Sequence, residues 1–203
     1  MLTSLPLRFS QTGTLLFVTI IALLAHFVFA EQAVHFLFEQ SALAAGQWYR
    51  LLSYAFYHTN SYHLALNLAG MWLLWLLHGE YYDTVTTTAV LLWCIVSSAL
   101  AVWFFAPDID YYMGLSAALH GLFVWGACRD IALKHYSGWM LLIGITIKLF
   151  IEQTEDDDTT AALIEANVAH MGHVYGALSG LLYWVGAWCL MKVWQRVITT
   201  KPQ

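Results

Sequence analysis

Between Thr86 and Ala106 lie 21 consecutive residues without an Asp, Glu, Lys or Arg. A helix of that length crosses the ~30 Å of hydrocarbon in a bilayer. Five further apolar runs follow the same rule: Thr12–Ala30, Tyr62–Leu77, Leu115–Cys128, Gly138–Ile151 and Ala162–Trp194. Lipid offers a backbone no hydrogen-bonding partner, so each run is expected to be helical. Only 10% of the residues are charged and 60% are hydrophobic, against roughly 25% charged in a soluble domain. The predicted fold is all-α, a polytopic membrane bundle of six transmembrane helices in one domain over residues 1–203. The first run reads as a signal anchor rather than a cleaved leader, because more spans follow it.

Basic residues set the expected orientation. With a cytoplasmic N-terminus, Arg8, Arg129, Lys134, Lys192, Arg196 and Lys201 fall inside, Arg50 falls in an outer loop and Lys148 lies within a span. That bias is the positive-inside pattern, with both termini cytoplasmic. The acidic run Glu155 to Asp158 then faces out as a solvated loop. Residues 31–60 are too polar to cross but rich in aromatic side chains, which suits a segment lying half inserted in the interface. Cys94, Cys128 and Cys189 read as small apolar core residues. A net charge of -5 without a basic face argues against a nucleic-acid partner.

Polar side chains inside spans are costly, so each is a functional candidate. They are His63 and Asn67 in the second run, Ser116 and His120 in the fourth, Lys148 in the fifth, and His170 and His173 in the sixth. The fourth run covers only about 21 Å, so Ser116 at its outer end is expected to lie below the surface, at the depth of His173. Gly176 and Gly180 share a helical face with His173, and Ala117 and Gly121 follow Ser116 at the spacing that lets membrane helices approach closely. Ser116 as nucleophile and His173 as general base would then meet, with His63 and Asn67 as donors to an oxyanion. No carboxylate stands out as a third member, so a dyad is the simplest expectation. His120 is a rival base, poorly placed on the same short helix as Ser116. Lys148 and Glu152, at i and i+4, are expected to pair near the outer end of the fifth span.

At these positions the sequence resembles the rhomboid intramembrane serine proteases. His58, His63 and Asn67 follow that family's H-x4-H-x3-N, Gly114 and Ser116 begin its G-x-S-G, and His173, Gly176 and Gly180 follow its H-x2-G-x3-G. Trp48 and Arg50 resemble its first-loop signature. The resemblance implies a rhomboid-like bundle, a Ser116–His173 dyad, an oxyanion site lined by His63 and Asn67, and a supporting role for His58. Ala117 departs from the motif, standing where glycine is usual; it fits a helical backbone and would be strained at positive φ. The runs around His120, around Lys148 and Glu152, and around His173 are most similar to the rhombosortase branch. That branch implies a bacterial inner membrane, a site open to the periplasm, and exported substrates with Gly-Gly type C-terminal membrane tails.

The expected partners are thus a substrate's transmembrane segment and the lipid bilayer, with no cofactor and no metal. Two other readings remain compatible with the residues. One is an inactive rhomboid-like protein that binds membrane helices. The other is a metal-dependent membrane hydrolase using histidines such as His63, His170 and His173, for which no acidic ligand is evident at that depth.

Overall fold

The computed structural model describes residues 5–154 and 159–199, so the acidic run Glu155 to Asp158 lies outside the described residues. Six long helices dominate: α1 (Phe9–Phe27), α5 (Ser61–His78), α6 (Thr84–Phe105), α7 (Ser116–Ala132), α8 (Ser137–Thr154) and α10 (His170–Thr199). Each coincides with one expected span to within a few residues except the last. There the chain forms a short α9 (Thr159–Ile164), then a non-helical link, and α10 begins at His170. The single run from Ala162 is therefore corrected. Glu165 takes φ 55, a left-handed backbone that breaks a helix, although the flanking residues are apolar enough to read as its continuation. Of the six, α1, α6 and the described part of α10 are long and apolar enough to cross a membrane. Their outer faces carry exposed Phe17, Phe104, Leu182 and Leu190, as a helix solvated by lipid requires.

Inter-helix contacts sort the helix ends into two groups. The starts of α1 and α6 meet the end of α5 through Gln11 Nε2 to the Gly79 carbonyl and Thr14 Oγ1 to the Thr84 carbonyl. Tyr81 donates to Asp130 at the end of α7, and Ser137 at the start of α8 donates to the same carboxylate. At the opposite end His26 meets Ser61, and Phe105 packs on Tyr175. Successive long helices thus run in alternating directions.

At the centre stands α7, packed by α5, α6, α8 and α10. Its small residues make this possible. A Cβ at Gly176 would lie 2.6 Å from the Ala117 carbonyl carbon, and one at Gly180 2.6 Å from that of Gly121. Backbone therefore meets backbone along the α7–α10 contact, as the spacing of those residues anticipates. Cys94 and Cys128 are buried, but Cys189 is exposed on α10, which corrects its assignment to the core: it lies on the apolar outer face of a helix that packs mainly through its first half.

Residues 28–60 carry α2 (Ala33–Phe36), α3 (Gln40–Ala44) and α4 (Arg50–Ser53). Their strand β1 (Phe38–Glu39) pairs antiparallel with β2 (Tyr111–Tyr112), just before Ser116. Arg50, 4% exposed, donates to the carbonyls of Val34 and Leu37 and to Gln47, and faces Glu39 at 3.4 Å. A buried guanidinium needs several acceptors, and the folded segment supplies them. Trp48 packs edge-on against Trp103 of α6.

Candidate active site

Local structure delivers each side chain. Asn60 caps α5 by accepting from the His63 amide at 2.9 Å, and its own amide donates to the Leu163 carbonyl; Asn is among the best residues for this place. That cap sets the start of the helix bearing His63 and Asn67. Gly114 adopts φ 113, and a Cβ there would fall 2.6 Å from His63 Nε2. Only glycine satisfies both conditions. Its amide donates to the Tyr54 carbonyl at 3.0 Å, which ties the turn before Ser116 to the loop segment.

Ser116 is the first residue of α7. Elsewhere Thr19, Ser97, Ser98, Thr146 and Ser179 bond the carbonyl four residues back in their own helices, the ordinary fate of a hydroxyl in such a helix. Ser116 behaves differently: its Oγ lies 2.9 Å from His173 Nε2 on α10. His173 Nδ1 lies 3.1 Å from Glu152 Oε2 on α8. No carboxylate stands out in the sequence as a partner for the histidine, and the structure brings Glu152 to it. A carboxylate only accepts, so Nδ1 carries the proton and Nε2 is free to accept from the serine hydroxyl.

The contacts continue into a closed circuit. Glu152 Oε1 pairs with Lys148 Nζ, and Lys148 Nζ lies 3.1 Å from His120 Nε2. His120 Nδ1 lies 2.8 Å from the Ser116 carbonyl. Because an ammonium only donates and a carbonyl only accepts, His120 is neutral with its proton on Nδ1. Its ring stacks on that of His173 with centroids 4.3 Å apart. Neither of its nitrogens is directed at Ser116 Oγ.

His63 Nδ1 lies 3.1 Å from Thr59 Oγ1, whose hydroxyl in turn bonds the Ile164 carbonyl. Asn67 Nδ2 gives one hydrogen to the His63 carbonyl at 2.9 Å, leaving its second for another acceptor. Behind them His58 is buried, its ring edge-on to His63 at 5.0 Å. Burial holds the His58 imidazole down to about 3, so it stays neutral and acts as packing. His170 lies 6.3 Å from the His173 ring. Thus Ser116, His173, His120, Lys148 and Glu152 share one circuit, and His63 and Asn67 border the same space.

A cavity of about 710 Å³ opens over these groups. Its walls come from α5 at Leu66 and Leu73, from α8 at Ile145, and from the link at Asn167 and Val168, with Ser116, His63 and Asn67 at its polar side. His120, Glu152 and His173 each bring a ligand atom within 4.8 Å of the others. Lys148 and Ser116 already engage those three side chains, so a metal there would have to displace an ammonium.

A comparison with protein-family models matches the rhomboid domain over residues 45–190. The chain belongs to the rhomboid family. It is a membrane protein of a family of intramembrane serine proteases. No curated protein matches it. Ala117 of this rhomboid lies inside α7, and among the described residues only Lys134 and Glu165 are non-glycine residues with positive φ. The departure from the family motif therefore brings no backbone strain.

Sequence reasoning pairs Glu152 with Lys148, as the structure does, but does not bring that pair to His173. The signal was present, since Glu152 lies four residues from Lys148 on the outer part of the fifth span. What was missing was the rotation of α8 that turns this pair toward His173.

Proposed function

We propose that this rhomboid is an active intramembrane serine endopeptidase; the 2.9 Å approach of Ser116 Oγ to His173 Nε2 carries the reading. In the first step Ser116 Oγ bonds to the scissile carbonyl carbon while its proton passes to Nε2. The carbonyl π electrons move onto oxygen, where the free hydrogen of Asn67 and, with Nδ1 accepting from the Thr59 amide, the Nε2–H of His63 are available as donors. His173 then returns the proton to the leaving nitrogen as the C–N bond breaks. Water attacks the acyl ester while giving a proton to His173; the C–Oγ bond then breaks and His173 returns that proton to Oγ, regenerating the serine.

The substrate reading follows the shape of the cavity. It is apolar at Leu66, Leu73 and Ile145 and polar at Ser116, His63, Asn67 and Lys148, which suits a membrane helix entering between α5 and α8 with its cleavage site locally unwound. Small, helix-weakening residues at that site would free the scissile carbonyl. We read all six long helices as spans of one membrane domain, with Arg8, Arg129 and Lys134 cytoplasmic and Ser116 toward the periplasm of a bacterial inner membrane. The resemblance to rhombosortases points to exported proteins with Gly-Gly type C-terminal tails. Co-expression with such a tailed protein tests this directly. Wild type should release a shortened, soluble product and Ser116→Ala should not. Equal processing by both would overturn the protease reading. An impermeant maleimide should label Asp157→Cys in intact spheroplasts; labelling only after lysis would reverse the orientation.

A further inference from the structure

We propose that Glu152 is a positioning residue for His173, making the site a Ser116–His173–Glu152 triad whose carboxylate is itself held by Lys148. The inference rests on the protease reading above and extends it beyond a dyad.

The geometry gives each carboxylate oxygen a separate task. Oε2 receives the Nδ1 hydrogen of His173 at 3.1 Å, and Oε1 receives Lys148. Lys148 in turn donates to His120, and His120 donates to the backbone carbonyl of Ser116. Glu152 is therefore held on one oxygen by His173 of α10 and on the other by Lys148 of its own helix, which His120 of the nucleophile's helix engages in turn. An imidazole can carry its neutral-state proton on either nitrogen, and only the Nδ1–H form leaves Nε2 able to take the serine proton. Glu152 selects that form. During attack Nε2 gains a proton and the buried ring becomes a cation, and the same carboxylate faces that charge. Glu152 itself stays ionised throughout. It acts through His173 and touches no substrate atom.

Glu152→Gln keeps the shape but removes the charge, and its amide can also donate, so the wrong tautomer is no longer excluded. The expected result is a fall of about 10² to 10⁴ in kcat with KM unchanged, comparable to the loss of the carboxylate in other triads. Fluorophosphonate labelling of Ser116 should slow in parallel, and Glu152→Asp, which restores the charge at shorter reach, should recover part of the rate. Folding is checked by gel filtration and thermal unfolding in detergent. A direct readout needs no Glu152 variant: nitrogen NMR of histidine-labelled wild type, with the His173 signal assigned by its loss in His173→Gln. A resting Nδ1–H tautomer supports the proposal. A resting Nε2–H tautomer, an unchanged kcat and labelling rate in Glu152→Gln, or a change confined to KM would each overturn it. Failure of wild type to cleave and to label at Ser116 would instead sink the protease reading, leaving the tautomer as the test of Glu152's contact with His173.

Discussion

The α7–α10 contact has so little space that one methyl group should disrupt the proposed active site. Building a Cβ at Gly176 places it 2.6 Å from the Ala117 carbonyl carbon, whereas non-bonded carbons settle near 3.5 to 4.0 Å. Neither partner is a flexible side chain, so Gly176→Ala must part the helices by about 0.9 Å at that point. His173 lies one turn away on the same helix. Transmitted in full, the displacement stretches the 2.9 Å Ser116–His173 contact to about 3.8 Å, and even half of it leaves about 3.4 Å, beyond useful hydrogen bonding. A misplacement of about 1 Å costs roughly 10² in rate. Gly176→Ala should therefore lower kcat against a tailed substrate by about two orders of magnitude and slow fluorophosphonate labelling alike. Gly186→Ala is the matched control on the same helix, since a Cβ there meets nothing within 4 Å, and it should behave as wild type. Wild-type kinetics in Gly176→Ala, with the protein folded, would refute both the close packing and its link to catalysis.

Three further outcomes concern the site and the start of α6. Ser116→Ala and His173→Ala should each abolish cleavage, the double variant being no worse than either, because groups acting as a unit are non-additive; His120→Ala and His170→Ala should keep measurable activity. His63→Ala and Asn67→Ala should lower kcat by about 10² to 10³ each, and a raised KM alone would assign them to substrate binding. Asp83 caps α6 by accepting from the amides of Val85 and Thr86, and the Thr86 amide foremost draws its carboxyl below the usual range. Because the folded-state value is depressed, the charge-dependent part of the cap's stabilisation is complete above the unfolded value of 3.8 and is lost as pH falls through the folded one. Asp83→Ala should thus cost about 1 kcal/mol near neutral pH, seen as a lower Tm in detergent, and the difference from wild type should shrink in strong acid, where the protonated carboxyl still accepts through its carbonyl oxygen.

How far the sequence reveals the fold depends on which physical term decides each element. Transfer into lipid is decided by composition summed over about 20 residues, so the long helices are visible from apolar runs alone. The break between Ile164 and His170 is decided instead by one residue, Glu165 at φ 55, amid Ala166, Val168 and Ala169, which are as apolar as a span. Hydropathy has no access to that backbone angle. Arg50 shows the same limit from the other side. Its charge reads as an outer-loop marker, yet the structure buries it among the carbonyls of Val34 and Leu37, partners defined only once the loop has folded.

At the site, depth and rotation separate what could be read from what could not. Rise per residue puts Ser116 and His173 at one level, and the glycines at Gly176 and Gly180 mark the face on which α10 meets α7; both can be counted along the chain. Glu152 and His120 depend on helix rotation, which counting does not supply. The circuit resolves it because its charged members can each play only one part, donor or acceptor. Lys148 can only donate, so it orients both His120 and Glu152, and Glu152 can only accept, so it orients His173. The fixed protonation of the histidines thus originates in two charged residues on α8, a helix that contributes no group to bond-making.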